Sequence, residues 1–175
     1  MDEPRTAGAP QQTTRNPARR LRLFLRDHRV LDANVHVAQG QYLATYLASR
    51  NRYVNLTSVD WMGTGEHVPH MALKVSQILW GSSEDGELPL TNALAAAAAR
   101  RVELELEGGY LLGAGLLLME HQRLSDYLQS APAFVPLRDS ALLPRGRSLG
   151  DVVVNQDAIQ VVREVSPEES DMPVG

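Results

Sequence analysis

The sequence predicts a mainly β protein with short helices, built as two tandem small β-barrels. Three observations support this fold class. Short segments alternate apolar and polar residues with a period of two, as half-buried strands do. The chain of 175 residues repeats itself at a spacing of 81 positions. Hydrophobic residues make up 43% of the chain, but aromatic residues only 5%, so aliphatic side chains must fill the core.

The repeat extends over most of the sequence. Residues 20–81 align without a gap with residues 101–162, and fourteen of the 62 aligned positions are identical. We call these segments repeat 1 and repeat 2, and we call two residues 81 positions apart equivalent. Most of the identities fall on apolar positions, such as Leu23 and Leu104 or Val54 and Val135. A gapless register of this length indicates a tandem duplication.

Each repeat opens with two predicted strands. The runs R-L-R-L-F-L-R (residues 20–26) and R-V-E-L-E-L-E (residues 101–107) alternate with a period of two, so one face of each should be buried. A turn and a second strand follow, at Val30–Val37 in repeat 1 and at Tyr110–Met119 in repeat 2. The second of these is the most apolar window of the chain, but it is too short to cross a bilayer, which takes about 20 residues.

A short helix is predicted next. Leu43, Tyr46 and Leu47 recur at the i, i+3 and i+4 spacing of one helical face, and their equivalents are identical. In repeat 2 this segment is R-L-S-D-Y-L-Q-S, and Pro132 ends it after about two turns. Ser125 or Asp126 is expected to cap the helix.

Three further strands complete each repeat. One is predicted at Tyr53–Val59 and Phe134–Leu142, and a hairpin-like pair closes each unit at Met71–Trp80 and Asp151–Val162. Within these pairs, K-V-S-Q and N-Q-D-A supply tight turns. Five short strands in about 60 residues fit a small, strongly bent barrel.

The segments outside the repeats differ in composition. T-N-A-L-A-A-A-A-A-R-R (Thr91 to Arg101) predicts a helix capped by Thr91 or Asn92, with Pro10 to Arg20 as a weaker counterpart. The predicted organisation is a flexible tail at residues 1–18, barrel repeat 1 at 19–81, an acidic linker with the Ala-rich helix at 82–100, barrel repeat 2 at 101–164 and a disordered acidic tail at 165–175.

Composition bounds the chemistry. The absence of cysteine excludes disulfides, thiolate metal sites and a cysteine nucleophile. Met1 to Pro17 lacks the apolar region of a signal peptide, so we expect a soluble, cytoplasmic protein. No phosphate-binding glycine loop or nucleophile-elbow motif occurs, and no cofactor is predicted.

Charge is distributed unevenly along the chain. Residues 1–81 carry ten basic and six acidic residues (+4), and residues 82–175 carry seven and fifteen (−8). The first strands have outward faces of opposite sign, so they are either two solvated faces or faces that pair within one chain or between neighbouring chains. Phe24 is expected to be exposed on this face and to favour an interface. The candidate partner-binding residues are Arg20, Arg22, Phe24, Arg26, Glu103, Glu105, Glu107, Arg123 and Asp126.

Two polar clusters carry other candidate sites. Ser125 lies four residues after His121, but the serine is replaced by alanine in repeat 1, so capping is favoured over catalysis. E-H-V-P-H places His67 and His70 three residues apart, and a third ligand such as His36 or His28 would complete a zinc site. Solvated loop histidines are the favoured interpretation, so no catalytic residue, metal or cofactor is predicted.

The repeats resemble Sm-like proteins. In repeat 1 the run from R-V-L-D-A-N-V-H-V to Y-V-N-L-T-S-V-D is similar to the first half of that fold. In repeat 2, R-L-S-D-Y-L-Q-S-A-P-A-F-V-P-L-R-D resembles an uncharacterised bacterial family of Sm-like small barrels. The resemblance implies an RNA pocket in which Asn55, beside Tyr53, holds a base. Repeat 2 has Pro136 at this position, and the Arg-Gly of the second Sm motif is absent.

The leading expectation is therefore a non-enzymatic scaffold or accessory subunit. It would bind protein partners in a larger assembly, including one at the surface of a membrane complex, or associate with itself through opposite-charge barrel faces. The first alternative is an RNA-binding module that uses Tyr53 and Asn55 of repeat 1, although the isoelectric point of about 5.7 disfavours phosphate binding. The second alternative is a regulatory domain that binds a small ligand between the barrels.

Overall fold

A computed structural model describes residues 16–84 and 98–166 of the chain. These residues form ten strands, two short α-helices and two 3₁₀ turns. The strands are β1 (Ala18–Leu25), β2 (Val30–His36), β3 (Tyr53–Trp61), β4 (His67–Lys74), β5 (Ile78–Ser83), β6 (Ala98–Leu106), β7 (Tyr110–Leu118), β8 (Phe134–Leu143), β9 (Arg147–Asn155) and β10 (Ile159–Glu164). The helices are α1 (Leu43–Ala48) and α2 (Leu124–Ser130), and the 3₁₀ turns are Val75–Gln77 and Gln156–Ala158.

All ten strands lie in one open antiparallel sheet, in the order β10-β6-β7-β8-β9-β5-β1-β2-β3-β4. The prediction of a mainly β fold with short helices is confirmed. The sheet, however, is continuous across the two repeats, whereas the sequence predicts two barrels. The difference arises because β5 of repeat 1 pairs with β9 of repeat 2, which joins the strands of both repeats through backbone hydrogen bonds.

Corresponding elements of the two halves lie 81 residues apart. β5 (Ile78–Ser83) and β10 (Ile159–Glu164) are separated by this spacing at both ends, and so are the 3₁₀ turns at Val75–Gln77 and Gln156–Ala158. The turns coincide with the tight turns predicted from the sequence. The strand order within the sheet is also the same in each half, since β5-β1-β2-β3-β4 corresponds to β10-β6-β7-β8-β9.

Strand alternation follows the prediction. In β1, Leu21, Leu23 and Leu25 are buried, while Arg22 and Phe24 between them are partly exposed. In β6, Val102 and Leu104 are buried in the same way. Successive side chains of a strand point to opposite faces of the sheet, so each strand needs only one apolar face to pack.

The predicted Ala-rich helix is wrong over the part that the structure describes. Residues 98–101 are the first residues of β6 and pair with residues 115–118 of β7. Residues 18–20, the end of the weaker counterpart, likewise belong to β1. Strand pairing outweighs the helix propensity of alanine here, because propensity is worth less than about 1 kcal/mol per residue. The rest of both predicted helices, with most of the acidic linker, lies outside the described residues.

The short helices form where predicted. In α1, Leu43, Tyr46 and Leu47 are buried, as the i, i+3, i+4 pattern predicts. The predicted capping of α2 is wrong. That helix begins at Leu124, so Ser125 and Asp126 lie in its first turn, and the capping position is occupied by Arg123 without a side-chain hydrogen bond to the helix.

The buried apolar side chains form two clusters, and the central strands contribute to both. The first cluster is built mainly from repeat 1 and the second mainly from repeat 2. In β5, Ile78 packs in the first cluster, whereas Leu79 and Trp80 pack in the second. In β9, Val153 packs in the first cluster and Val154 in the second. The strand pair β5–β9 therefore contributes side chains to both hydrophobic cores.

Asn155 provides a test of this strand pair. Its side-chain amide is buried and donates a hydrogen bond to the backbone oxygen of Ile78 at 3.0 Å, across the two repeats. Asn155→Ala is expected to lower the free energy of unfolding by about 1–3 kcal/mol, because the buried carbonyl of Ile78 loses its donor and the N–H of Asp157 loses the acceptor Oδ1 of Asn155. Urea denaturation measures the loss.

The matched control is Lys74→Ala, at the equivalent position of repeat 1. Lys74 is exposed, so its truncation should change stability by about 0.5 kcal/mol or less. Equal losses in the two variants would show that Asn155 does not hold the two repeats together.

Candidate functional site

The pairing of β5 with β9 joins the two repeats, and we call it the junction. Trp80 lies opposite Val154, and Gly81 lies opposite Val153. A side chain at position 81 would force Leu23 to move, because a Cβ atom there would lie 2.7 Å from the Cδ2 atom of Leu23. The small residue lets β5 fit between β1 and β9.

Trp80 is the largest side chain buried at the junction. Its ring stacks on Phe24, with centroids 4.4 Å apart and an interplanar angle of 18°, and meets Tyr110 edge-on at 4.8 Å. The hydroxyl of Tyr110 lies 2.9 Å from Nδ1 of His28, and burial raises the pKa of this tyrosine. Phe24 was predicted to be exposed, but it is half-buried because its ring stacks on Trp80. Aromatic residues of both repeats thus pack on one another.

The predicted charged faces are brought together at one point. Arg26 forms an ion pair with its equivalent residue, Glu107, across the two repeats. The other partners lie within a repeat. Arg20 pairs with Asp60, Arg22 makes a bidentate contact with Asp32, and Arg163 donates to Glu103 at 2.7 Å. Glu105 is exposed. The two faces therefore mainly neutralise charges within their own repeats.

Phe134 reaches across the junction in the opposite direction to Trp80. It belongs to β8 of repeat 2, but it is only 1% exposed and packs in the first cluster. Helix α1 of repeat 1 contacts the same strand. Trp80 and Phe134 thus exchange places, since each fills the core of the other repeat.

The outermost strands of the sheet have one neighbour each. Within residues 16–84 and 98–166, β4 pairs only with β3, and β10 pairs only with β6. Four large hydrophobic side chains of this part of the chain are exposed: Tyr53, Met62, Met119 and Val161. Val161 lies in β10 and is 45% exposed, and Tyr53 lies opposite Lys74 of β4 and is 56% exposed. We call β4 with Tyr53, and β10 with Val161, the two free edges.

The predicted polar sites lie apart from the junction. Arg123 and Asp126 are exposed on α2, and the hydroxyl of Ser125 lies 3.3 Å from a carboxylate oxygen of Asp126. This pair places Ser125 against a carboxylate in the same helical turn. The partner-binding role of Arg123 and Asp126 stays a prediction.

The candidate zinc ligands point apart. His67 and His70 both belong to β4, and an odd spacing places them on opposite faces of the strand. Nδ1 of His67 lies 2.7 Å from a carboxylate oxygen of Asp60. Hydrogen bonds from His67 and then Arg20 lower the pKa of Asp60. No cluster of three or more potential metal ligands occurs among the described residues.

The residues of the RNA alternative do lie together. Tyr53 and Asn55 are two residues apart in β3 and are both exposed, so they share one face of the strand. Lys74 and Ala72 lie opposite them in β4.

The small-ligand alternative corresponds to a cleft between the repeats, with a volume of about 390 Å³. Repeat 1 contributes Arg22 and Asp32 to its walls, Glu84 lies just after repeat 1, and repeat 2 contributes Asp151. Because Arg22 is engaged by Asp32, the cleft presents mainly carboxylates.

Comparisons with protein-family models, curated protein sequences and solved structures find no significant match. Neither α1 nor α2, the helices of the described part of the chain, has the length and apolar character required to cross a membrane.

Trp80 and Phe134, which pack across the junction, are absent from the residues that the sequence singles out. One signal in the sequence separates Trp80 from ordinary core residues. Trp80 is followed by Gly81, and the equivalent residues are Val161 and Val162. A very large side chain next to a glycine in one repeat therefore corresponds to two side chains of medium size in the other. Periodicity alone assigns all of these residues to strand interiors.

The junction predicts an asymmetric pair of truncations. Trp80→Ala should cost about 3–5 kcal/mol of unfolding free energy, because it opens a cavity between the two cores. Val161→Ala, at the equivalent position on a free edge, should cost about 0.5 kcal/mol or less in the monomer. Urea denaturation at low protein concentration makes the comparison, and similar costs for the two variants would contradict it.

Proposed function

We propose that the protein is a non-catalytic scaffold subunit, built from two tandem Sm-like repeats, which binds protein partners through the free edges of its sheet. One observation carries the proposal. The central strands β5 and β9 are covered on both sides by neighbours, whereas β4 and β10 end the sheet and carry exposed Tyr53 and Val161 nearby.

An unpaired sheet edge presents a row of backbone donors and acceptors. An extended segment of another protein can pair with these groups, and pockets for alternate side chains then provide specificity. Soluble proteins commonly protect such edges with charge or proline, because exposed edges promote association. β4 contains Pro69 and ends at Lys74. β10 ends at the charged Arg163 and Glu164, but it has no proline and has Val161 exposed near its centre. These features favour β10 as the stronger binding edge.

The net charges of the two halves favour an oriented contact. Within the described part of the chain, residues 16–81 carry eight basic and four acidic residues (+4), and residues 98–166 carry seven and nine (−2). Complementary potentials mainly raise association rates and fix orientation. A partner that presents positive charge would therefore approach β10, and one that presents negative charge would approach β4.

The first test introduces a photo-crosslinking amino acid at Val161 or at Tyr53 in cells of the host organism. We expect each edge position to give a covalent adduct with a protein, identified by mass spectrometry. The same substitution at Met62 and at Met119 provides the control, because these side chains have similar exposure but lie outside the free edges. Absence of adducts at the edge positions, or equal labelling at all four, would contradict the proposal.

RNA binding is the second candidate function, favoured by the shared exposed face of Tyr53 and Asn55. The scaffold proposal predicts that U-rich and A-rich RNA bind weakly at low salt and that Asn55→Ala leaves this binding unchanged. Filter binding at two salt concentrations measures it, with Asn51→Ala as an exposed control. Sub-micromolar, salt-sensitive binding that Asn55→Ala alone abolishes would favour the RNA function instead.

A further inference from the structure

We infer that the partner at the free edges is a second copy of this chain, which docks head-to-tail so that β10 of one copy pairs with β4 of the next. The inference rests on the proposed function and names the partner of the same edges. The contact would repeat between chains the arrangement that β5 and β9 form within one chain.

The order of the strands supplies the first argument. Each half of the sheet has its fifth strand at one side and its fourth strand at the other, as β5-β1-β2-β3-β4 and β10-β6-β7-β8-β9. The junction pairs the fifth strand of the first half with the fourth strand of the second. The free edges are the two strands that remain, a fifth strand and a fourth strand. A second copy would bring together the same kinds of edge.

The exposed side chains supply the second argument. Trp80 and Phe134 are buried because each crosses the junction. Their equivalents are Val161 and Tyr53, which are two of the four exposed large hydrophobic side chains in the described part of the chain. A head-to-tail contact would cover both of them at once.

Helix burial supplies the third argument. α1 lies against β8 at the junction, and Leu43, Tyr46 and Leu47 are fully covered. α2 has the same three residue types on the same face, but no residue of α2 is fully buried. The surface that β8 supplies to α1 would be supplied to α2 by β3 of the next copy, which carries Tyr53.

The pairing of β5 with β9 and the inferred pairing of β10 with β4 each place a small residue opposite a valine, but the small residue lies in a different strand of the pair. The junction places Gly81 opposite Val153, so the small residue is in β5. Applying the same register between copies places Val162 of β10 opposite Ala72 of β4, so the small residue is in the partner strand. Val161 would likewise face Leu73. Each contact thus sets one small residue opposite a valine, which lets the two strands approach closely.

The contact is heterologous, since two different surfaces of the same molecule meet. Such a contact leaves one β4 edge and one β10 edge free at the ends of any open assembly, so the copies continue into a ring or a filament. Attraction between the described residues 16–81, with a charge of +4, and the described residues 98–166, with a charge of −2, also favours this polarity over a contact between two identical edges.

Two edge-blocked variants of the full chain test the inference. Val161→Asp places a charge on β10, and Ala72→Asp places a charge on β4; both positions are exposed, so each variant should fold. We expect the unmodified protein to form oligomers in sedimentation velocity, and each variant alone to remain monomeric, with association weakened about tenfold or more. A mixture of the two variants should form a 1:1 dimer, because one intact β10 edge and one intact β4 edge remain.

Met62→Asp and Met119→Asp are the matched controls, and both should assemble like the unmodified protein. Circular dichroism of each variant confirms folding independently of assembly. A purified chain that stays monomeric up to its solubility limit would overturn the inference, and so would a mixture of variants that forms no dimer. Either result leaves the scaffold proposal to the crosslinking experiment, in which a different protein at the edges would still support it.

Discussion

The burial of Trp80 between the two halves of the sheet is the interaction on which the rest of the structure depends. Its ring stacks on Phe24 of repeat 1 and meets Tyr110 of repeat 2, while Phe134 fills the first core from the other side. Burying an aromatic side chain is worth several times the net contribution of one hydrogen bond. The exchange of these two residues makes each half depend on the other for a complete core.

The same constraint explains the free edges. A strand at the centre of the sheet has both of its backbone sides paired, and its side chains lie between two cores. A strand at the end has only one backbone side paired, and no neighbouring strand or core in the described part of the chain covers its side chains on the other side. Val161 is therefore exposed, whereas Trp80 is buried. The proposed binding function follows from this difference between equivalent positions, and neither the charged faces nor the histidines are needed for it.

Local pattern predicted much of the fold, but little of the candidate site. The alternation of Leu21, Leu23 and Leu25 located a strand, because every second side chain of a strand points to the same face and these three leucines form the buried face. The pairing of β5 with β9 joins segments far apart in sequence, and no local pattern encodes it. Phe24 was predicted to be exposed for this reason, since the ring that covers it comes from β5. Ala98 was assigned to a helix because alanine has a high helix propensity, and the assignment is wrong because pairing with β7 outweighs that propensity.

The central claim is that the junction makes the two repeats a single cooperative unit. Differential scanning calorimetry of the monomeric Val161→Asp variant tests it most directly, by comparing the calorimetric enthalpy with the van't Hoff enthalpy. The account predicts one transition in which the two enthalpies agree, because neither core is complete without the other half. Two resolved transitions, or a single transition whose van't Hoff enthalpy is only about half of the calorimetric enthalpy, as independently melting halves would give, would contradict it.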